Sequence, residues 1–216
     1  INYLLILILI MLDLLNINKL WNENYHRRIL HHLERGIYNP SKTPEIYLNQ
    51  KLIPKHIEYL QTLKYPKETS KSAETISPIL SNLVSGIYST KSNLFSINFN
   101  KNTQDKLEEI ANYYIPHFSK VVGKQLYLTK TKDKIFILRY HGNKSSFPWH
   151  YDNEHISCYR ALFIFKKDGK VPLFKYIDKN NKTISIDTDI GDGLIFKGKN
   201  TFHGVNKLDN EQFTRY

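Results

Sequence analysis

Phe147-Pro148-Trp149-His150-Tyr151-Asp152-Asn153 is the stretch on which the reading of this 216-residue chain turns. His150 and Asp152 stand two residues apart, and residues at i and i+2 of an extended strand point to the same side. An imidazole and a carboxylate so placed can share one ion if a third ligand arrives from a neighbouring strand. His203, in Asn200-Thr201-Phe202-His203-Gly204-Val205-Asn206, is the expected third ligand. Two imidazoles and one carboxylate on one face of a metal leave coordination positions open. Such a set suits non-haem Fe(II) that must also hold a co-substrate and dioxygen. His-x-Asp alone is a weak signal, and a surface histidine beside a turn aspartate is its ordinary explanation.

Working outward, the apolar pattern after Gly123 has the period of strands. Gln125 to Thr131 and Lys134 to Tyr140 read as two strands around a Lys132-Asp133 turn. Tyr159 to Phe165, Leu173 to Ile177, Thr183 to Ile186, Leu194 to Phe196 and His203 to Asn206 read as further short strands, broken at Gly169, Asn180, Asn181, Gly191, Gly193 and Gly198. Phe136, Leu138, Phe163, Phe165 and Phe196 are the residues expected to line a barrel, in a register that a one-residue slip would invert. Before Gly123 the period is helical. Lys19 to Leu33, Ile53 to Leu63 with Pro54 in its first turn, and Thr103 to Phe118 read as helices. Helices followed by many short strands predict an α+β fold with a jelly-roll core backed by N-terminal helices. The expected divisions are an apolar segment over 1–18, a helical region over 19–122 that packs on the barrel, and the β core over 123–216.

Composition bounds the chemistry. Lys and Arg number 31 against 20 Asp and Glu, a net charge of +11, which favours acidic partners such as nucleic acid or an anionic membrane. The lysines are scattered, however, and a solvated basic surface accounts for them. Cys158 is the only cysteine, so an internal disulfide, a Cys-ligated zinc and an iron–sulfur cluster are excluded; Cys158 is expected to be a small buried residue. No Gly-x-Gly-x-x-Gly, Walker or Cys-x-x-Cys motif is present. Tyr3 to Leu12 is continuously apolar and Leu14 and Leu15 follow, too short a run to span a bilayer by itself. With no small-residue cleavage site after it, residues 3–15 are expected to be part of a membrane anchor, with a buried core element and a cytoplasmic protein as the alternative. The chain opens on Ile1 and stops at Tyr216, as expected of a piece of a longer protein.

The surroundings of the three candidate ligands carry a resemblance. Arg139-Tyr140-His141-Gly142 precedes the first pair, and Gly191-Asp192-Gly193-Leu194-Ile195-Phe196 precedes His203-Gly204-Val205. These two blocks, in this order, resemble the 2-oxoglutarate- and Fe(II)-dependent oxygenases, prolyl 4-hydroxylase-like branch, over roughly Gln125 to Tyr216. The resemblance implies a double-stranded β-helix with His150, Asp152 and His203 as the catalytic iron ligands. It implies a basic residue downstream of His203 that binds the distal carboxylate of 2-oxoglutarate, and Arg215 is the best match. A guanidinium grips a carboxylate with two parallel hydrogen bonds and keeps its charge. Tyr140 matches an aromatic hydroxyl that donates to the co-substrate. A second co-substrate tyrosine found in some relatives is replaced by an apolar residue near Ile164. The implied reaction consumes 2-oxoglutarate and O2, releases succinate and CO2, hydroxylates a substrate C–H bond, and uses ascorbate as reductant.

A prolyl residue in a peptide or protein is the expected substrate, with Trp149 and Tyr151 shaping a groove for an extended chain. The alternatives are an oxygenase acting on nucleic acid, supported by charge alone, a zinc hydrolase on the same triad, and a non-catalytic jelly-roll binding module. His26, His31, His32, His56 and His117 are expected at the surface of the helical half, and His141 and His155 beside the site.

Overall fold

The computed structural model describes residues 35–63, 94–97, 100–130, 135, 137–141, 147–152, 155–167, 174–205 and 214–215. Among them the order is β1 (Ile46–Lys51), α1 (Pro54–Thr62), β2 (Leu94–Ile97), α2 (Lys101–Val122), β3 (Ile137–His141), β4 (Phe147–His150), β5 (Arg160–Phe163), β6 (Phe174–Ile177), β7 (Thr183–Ile186), β8 (Asp192–Phe196), β9 (His203–Val205) and β10 (Thr214–Arg215). The strands form antiparallel ladders in the orders β1-β8-β5, β4-β9-β6-β7 and β10-β3-β2. This is an α+β fold consistent with a jelly-roll arrangement. The segments expected to be an apolar run over 1–18 and a helix over 19–33 lie outside the described residues.

Helix α2 shows why its sequence is helical. Leu107, Ile110, Tyr114, Phe118 and Val122 recur every three or four residues and form its buried stripe. The Asn100 side chain caps the start by accepting from the Thr103 N–H at 2.9 Å. Gly123 ends the helix at φ +72°, a left-handed conformation that glycine adopts without steric cost, and its N–H returns to Lys120. The helix is thus longer at both ends than Thr103 to Phe118. In α1, Pro54 occupies the first turn, and His56 and Leu60 face inward. His56, expected at the surface, is buried, with Nδ1 2.9 Å from the Tyr114 hydroxyl.

Among the described residues, strand alternation splits the apolar side chains between two cores. Leu194 and Phe196 of β8 join Ile164, Phe174 and Tyr176 in the space between the sheets. Ile195 of the same strand faces the other way, with Phe165 and the inner faces of α1 and α2. Phe163 also lies on the helix side, stacked with Phe118 at 6.0 Å. Of the expected lining residues, Phe196 faces the barrel interior, whereas Phe163 and Phe165 face the helices and their neighbours Leu162 and Ile164 take the interior. The period-two pattern is the same in either phase, and the helices decide which face is which.

Several elements differ from the sequence reading. β1 and β2 arise in the half read as helical. β1 adds to β8 through a bulge between Tyr47 and Gln50, where Asn49 has φ +61°, and this bulge breaks the alternation that marks a strand in sequence. Residues 125–130 are irregular rather than a strand, and Tyr127 there is 80% exposed. Cys158 is half-buried rather than fully buried. The expected membrane anchor is also corrected: among the described residues no helix is long and apolar enough to cross a membrane. Of the described helices only α2 is long enough, and Lys101, Asp105, Lys106, Glu108, Glu109 and Lys120 make it amphipathic.

Candidate metal centre

β4 and β9 are ladder neighbours, and His150 and His203 are directly opposed in their register. Phe147 pairs with Val205, so the stretch from Phe147 to His150 carries one residue more than its partner. That bulge contains Pro148, which cannot donate a ladder hydrogen bond and is tolerated there. The extra residue also sets the phase in which His150 meets His203, with ring centroids 4.3 Å apart. Asp152 follows just beyond the strand end. Its Oδ1 lies 3.4 Å from His150 Nε2 and its Oδ2 3.7 Å from His203 Nε2. All three residues are buried, and their donor atoms lie within 4.8 Å of one another. Sequence expectation and geometry agree on this triad.

The donor set fits a metal on two further observations. Asp152 Oδ2 is buried and accepts no hydrogen bond. Arg160 Nε stands 3.1 Å from it as an ion pair, outside hydrogen-bond alignment. A buried carboxylate oxygen that accepts no hydrogen bond keeps a lone pair to offer an ion. His203 Nδ1 lies 2.8 Å from the Thr201 carbonyl, which fixes the proton on Nδ1 and turns the Nε2 lone pair toward Asp152. With one donor atom from each residue the set lies within 4.8 Å, and an ion would draw it together, since bonds of about 2.1 Å hold neighbouring donors roughly 3 to 3.5 Å apart.

Electrostatics keeps Asp152 and His203 in their binding forms. Burial alone pushes the Asp152 carboxyl up, but the His150 hydrogen bond and the Arg160 guanidinium outweigh it and hold the group well below the usual carboxylate range. Burial, reinforced by His150, pushes the His203 imidazole down to about 3, so it is neutral near pH 7. Phe174 stacks on the His203 ring at 5.2 Å and Phe196 meets it edge-on at 4.7 Å, giving one side of the centre an apolar wall.

Three residues missed in the sequence support the triad. Gly198 presses on Asp152: a Cβ at 198 would stand 1.8 Å from Asp152 Oδ2, and the Gly198 carbonyl accepts from the Asp152 N–H at 3.0 Å. In sequence it reads only as a turn glycine. Thr201 is fully buried and holds His203 through its carbonyl, which no side-chain pattern reveals. Arg160 had a visible signal, a single cation opening the apolar run Ala161-Leu162-Phe163-Ile164-Phe165. Tyr151, expected to line a groove, is instead 2% exposed, with its ring against Phe202. Trp149 also stacks on Phe202, at 5.5 Å, with Lys175 Nζ 4.7 Å from the Trp149 ring. His155 is exposed. Arg215 and Tyr140 are directly opposed register positions in the β10–β3 ladder.

The site is therefore a 2-His-1-carboxylate facial triad, consistent with the Fe(II)- and 2-oxoglutarate-dependent oxygenase superfamily. No model of a known protein family matches the chain, and no curated protein matches it.

Proposed function

We propose that this protein is an Fe(II)- and 2-oxoglutarate-dependent dioxygenase that hydroxylates a C–H bond of a prolyl residue in a peptide or protein, releasing succinate and CO2. The observation that carries the reading is the buried convergence of His150, Asp152 and His203, with one Asp152 oxygen lacking a hydrogen-bond partner. Fe(II), when bound, supplies the redox chemistry that couples decarboxylation of 2-oxoglutarate by O2 to hydroxylation, with ascorbate as reductant.

The chain's own residues do the rest. His150, Asp152 and His203 would hold the metal, and a set of three protein ligands would leave coordination positions for small ligands. Phe174 and Phe196 wall off the His203 side with apolar rings and would keep water from it. Arg215 binds the distal carboxylate of 2-oxoglutarate, and Tyr140 donates a hydrogen bond to the same molecule. Their opposed positions across one ladder support a shared ligand. The net charge of +11 favours a second reading, an oxygenase acting on nucleic acid.

Purified protein given Fe(II), ascorbate and 2-oxoglutarate is expected to form succinate, and His150→Ala or Asp152→Ala to abolish it. Turnover that survives either substitution removes the assignment. Mass spectrometry after incubation with Pro-rich peptides and, separately, methylated oligonucleotides distinguishes the substrates. Gain of one oxygen atom on the peptide supports the prolyl reading, and loss of a methyl from the oligonucleotide supports the other.

A further inference from the structure

Residues 35–45 supply no candidate ligand, yet they tie down the chain beside all three. At one end Arg35 Nε donates to the Tyr151 carbonyl at 2.7 Å, and the Tyr151 N–H donates to the Arg35 carbonyl at 2.8 Å. The Tyr151 hydroxyl accepts from the Asn39 N–H at 3.1 Å and donates to the Asn39 carbonyl at 3.2 Å. Tyr151 lies between His150 and Asp152, so these four bonds fix the chain that carries both.

At the other end the Glu45 backbone grips a turn at both its ends. The Lys197 N–H donates to the Glu45 carbonyl at 2.9 Å, and the Glu45 N–H donates to Thr201 Oγ1 at 3.2 Å. The turn from Lys197 to Thr201 carries Gly198 against Asp152 and the Thr201 carbonyl against His203. Lys42 bridges the two ends: its Nζ donates to the Lys199 carbonyl at 3.0 Å and sits 3.9 Å from the centre of the Tyr151 ring. The β4–β9 ladder already joins the two strands. What the ladder leaves undetermined is how the loop after β4 and the turn before β9 present their ligands, and those are the pieces this segment holds.

We infer that residues 35–45 are a positioning strap that preorganises the site for a divalent first-row metal, acting through Tyr151 and Thr201. The inference rests on the reading of the triad as a metal centre. Partners one layer out from metal ligands are worth about 10- to 100-fold in affinity. The strap holds whole loops rather than single rings, so the lower figure is expected.

The test uses the full metal-free chain and Co(II) as probe, followed by its ligand-field absorption, with no co-substrate present. Tyr151→Phe and Thr201→Val should each weaken Co(II) binding about tenfold. Thr201→Ser keeps the hydroxyl and should bind as the original does. The double variant should lose less than the product of the two single losses, because a strap freed at one end no longer restrains the other. If Thr201→Val fails to fold, Lys42→Met keeps the alkyl stem, drops the ammonium and carries the same expectation. Melting temperatures of the metal-free variants are measured alongside. Lower melting temperatures with unchanged Co(II) affinity would mean that the segment only stabilises the fold, and would overturn the inference while leaving the triad intact. An unsubstituted protein that binds no Co(II) removes the metal centre and the strap together.

Discussion

Gly198 and His203 show how much of the centre depends on single atoms. A methyl group at 198 would collide with the Asp152 carboxylate at 1.8 Å and with its Cβ at 2.6 Å. Gly198→Ala must therefore displace the ligand. We expect about 1–3 kcal/mol of destabilisation from overpacking and at least a tenfold loss of metal affinity, read by thermal melting and metal titration. His203 makes a different prediction. A neutral imidazole with its pKa pushed from 6.5 to about 3 binds a proton far more readily once the chain unfolds. Its contribution to stability is complete above pH 6.5 and drains away as the pH falls toward 3. The metal-free protein should melt at progressively lower temperature between pH 7 and about 5, and His203→Gln should flatten that slope. An equal slope in the variant would assign the acid sensitivity elsewhere.

At the scale of elements, the Tyr114 hydroxyl joins α2 to α1. It accepts from the Ile53 N–H at 2.9 Å and meets buried His56 Nδ1 at 2.9 Å. Tyr114→Phe leaves two inward polar groups without their partner and should cost about 1–3 kcal/mol, measured by denaturant unfolding, with metal affinity unchanged. The strength of the sequence signal also varied by element. α2 was legible because five buried residues repeat over many turns. β7 was legible because Thr183 to Ile186 alternates cleanly between turn residues. β1 was not, since its bulge interrupts the alternation, and β10 is only two residues long. The triad was legible from its residue types together with the two sequence blocks that surround them. Gly198, Thr201 and the strap were not, because they act through backbone atoms and close approach, which residue identity does not encode.

For the whole molecule, residues on both sides of 123 share ladders and one core. β1 forms an outer strand of the β1-β8-β5 ladder and β2 pairs with β3. One of the two cores is shared between α1, α2 and the strands, with Leu52, Leu60, Leu107 and Phe118 packed with Phe165 and Ile195. A fragment of residues 123–216 would expose the unpaired edges of β3 and β8 and half of that core. It is expected to lack the dispersed amide spectrum of a folded domain and to aggregate, as two-dimensional NMR and light scattering would show.

The bulge in β4 has a kinetic meaning as well. Short antiparallel strands can collapse out of step during folding, and a shift of one position turns every side chain over. Out of step, His150 and His203 would point to opposite surfaces and no ion could bridge them. A metal recognises only the in-phase pairing and stabilises that form by mass action. Metal present during refolding is therefore expected to raise the yield of correctly zipped chains, measured as recovered soluble protein with and without Co(II).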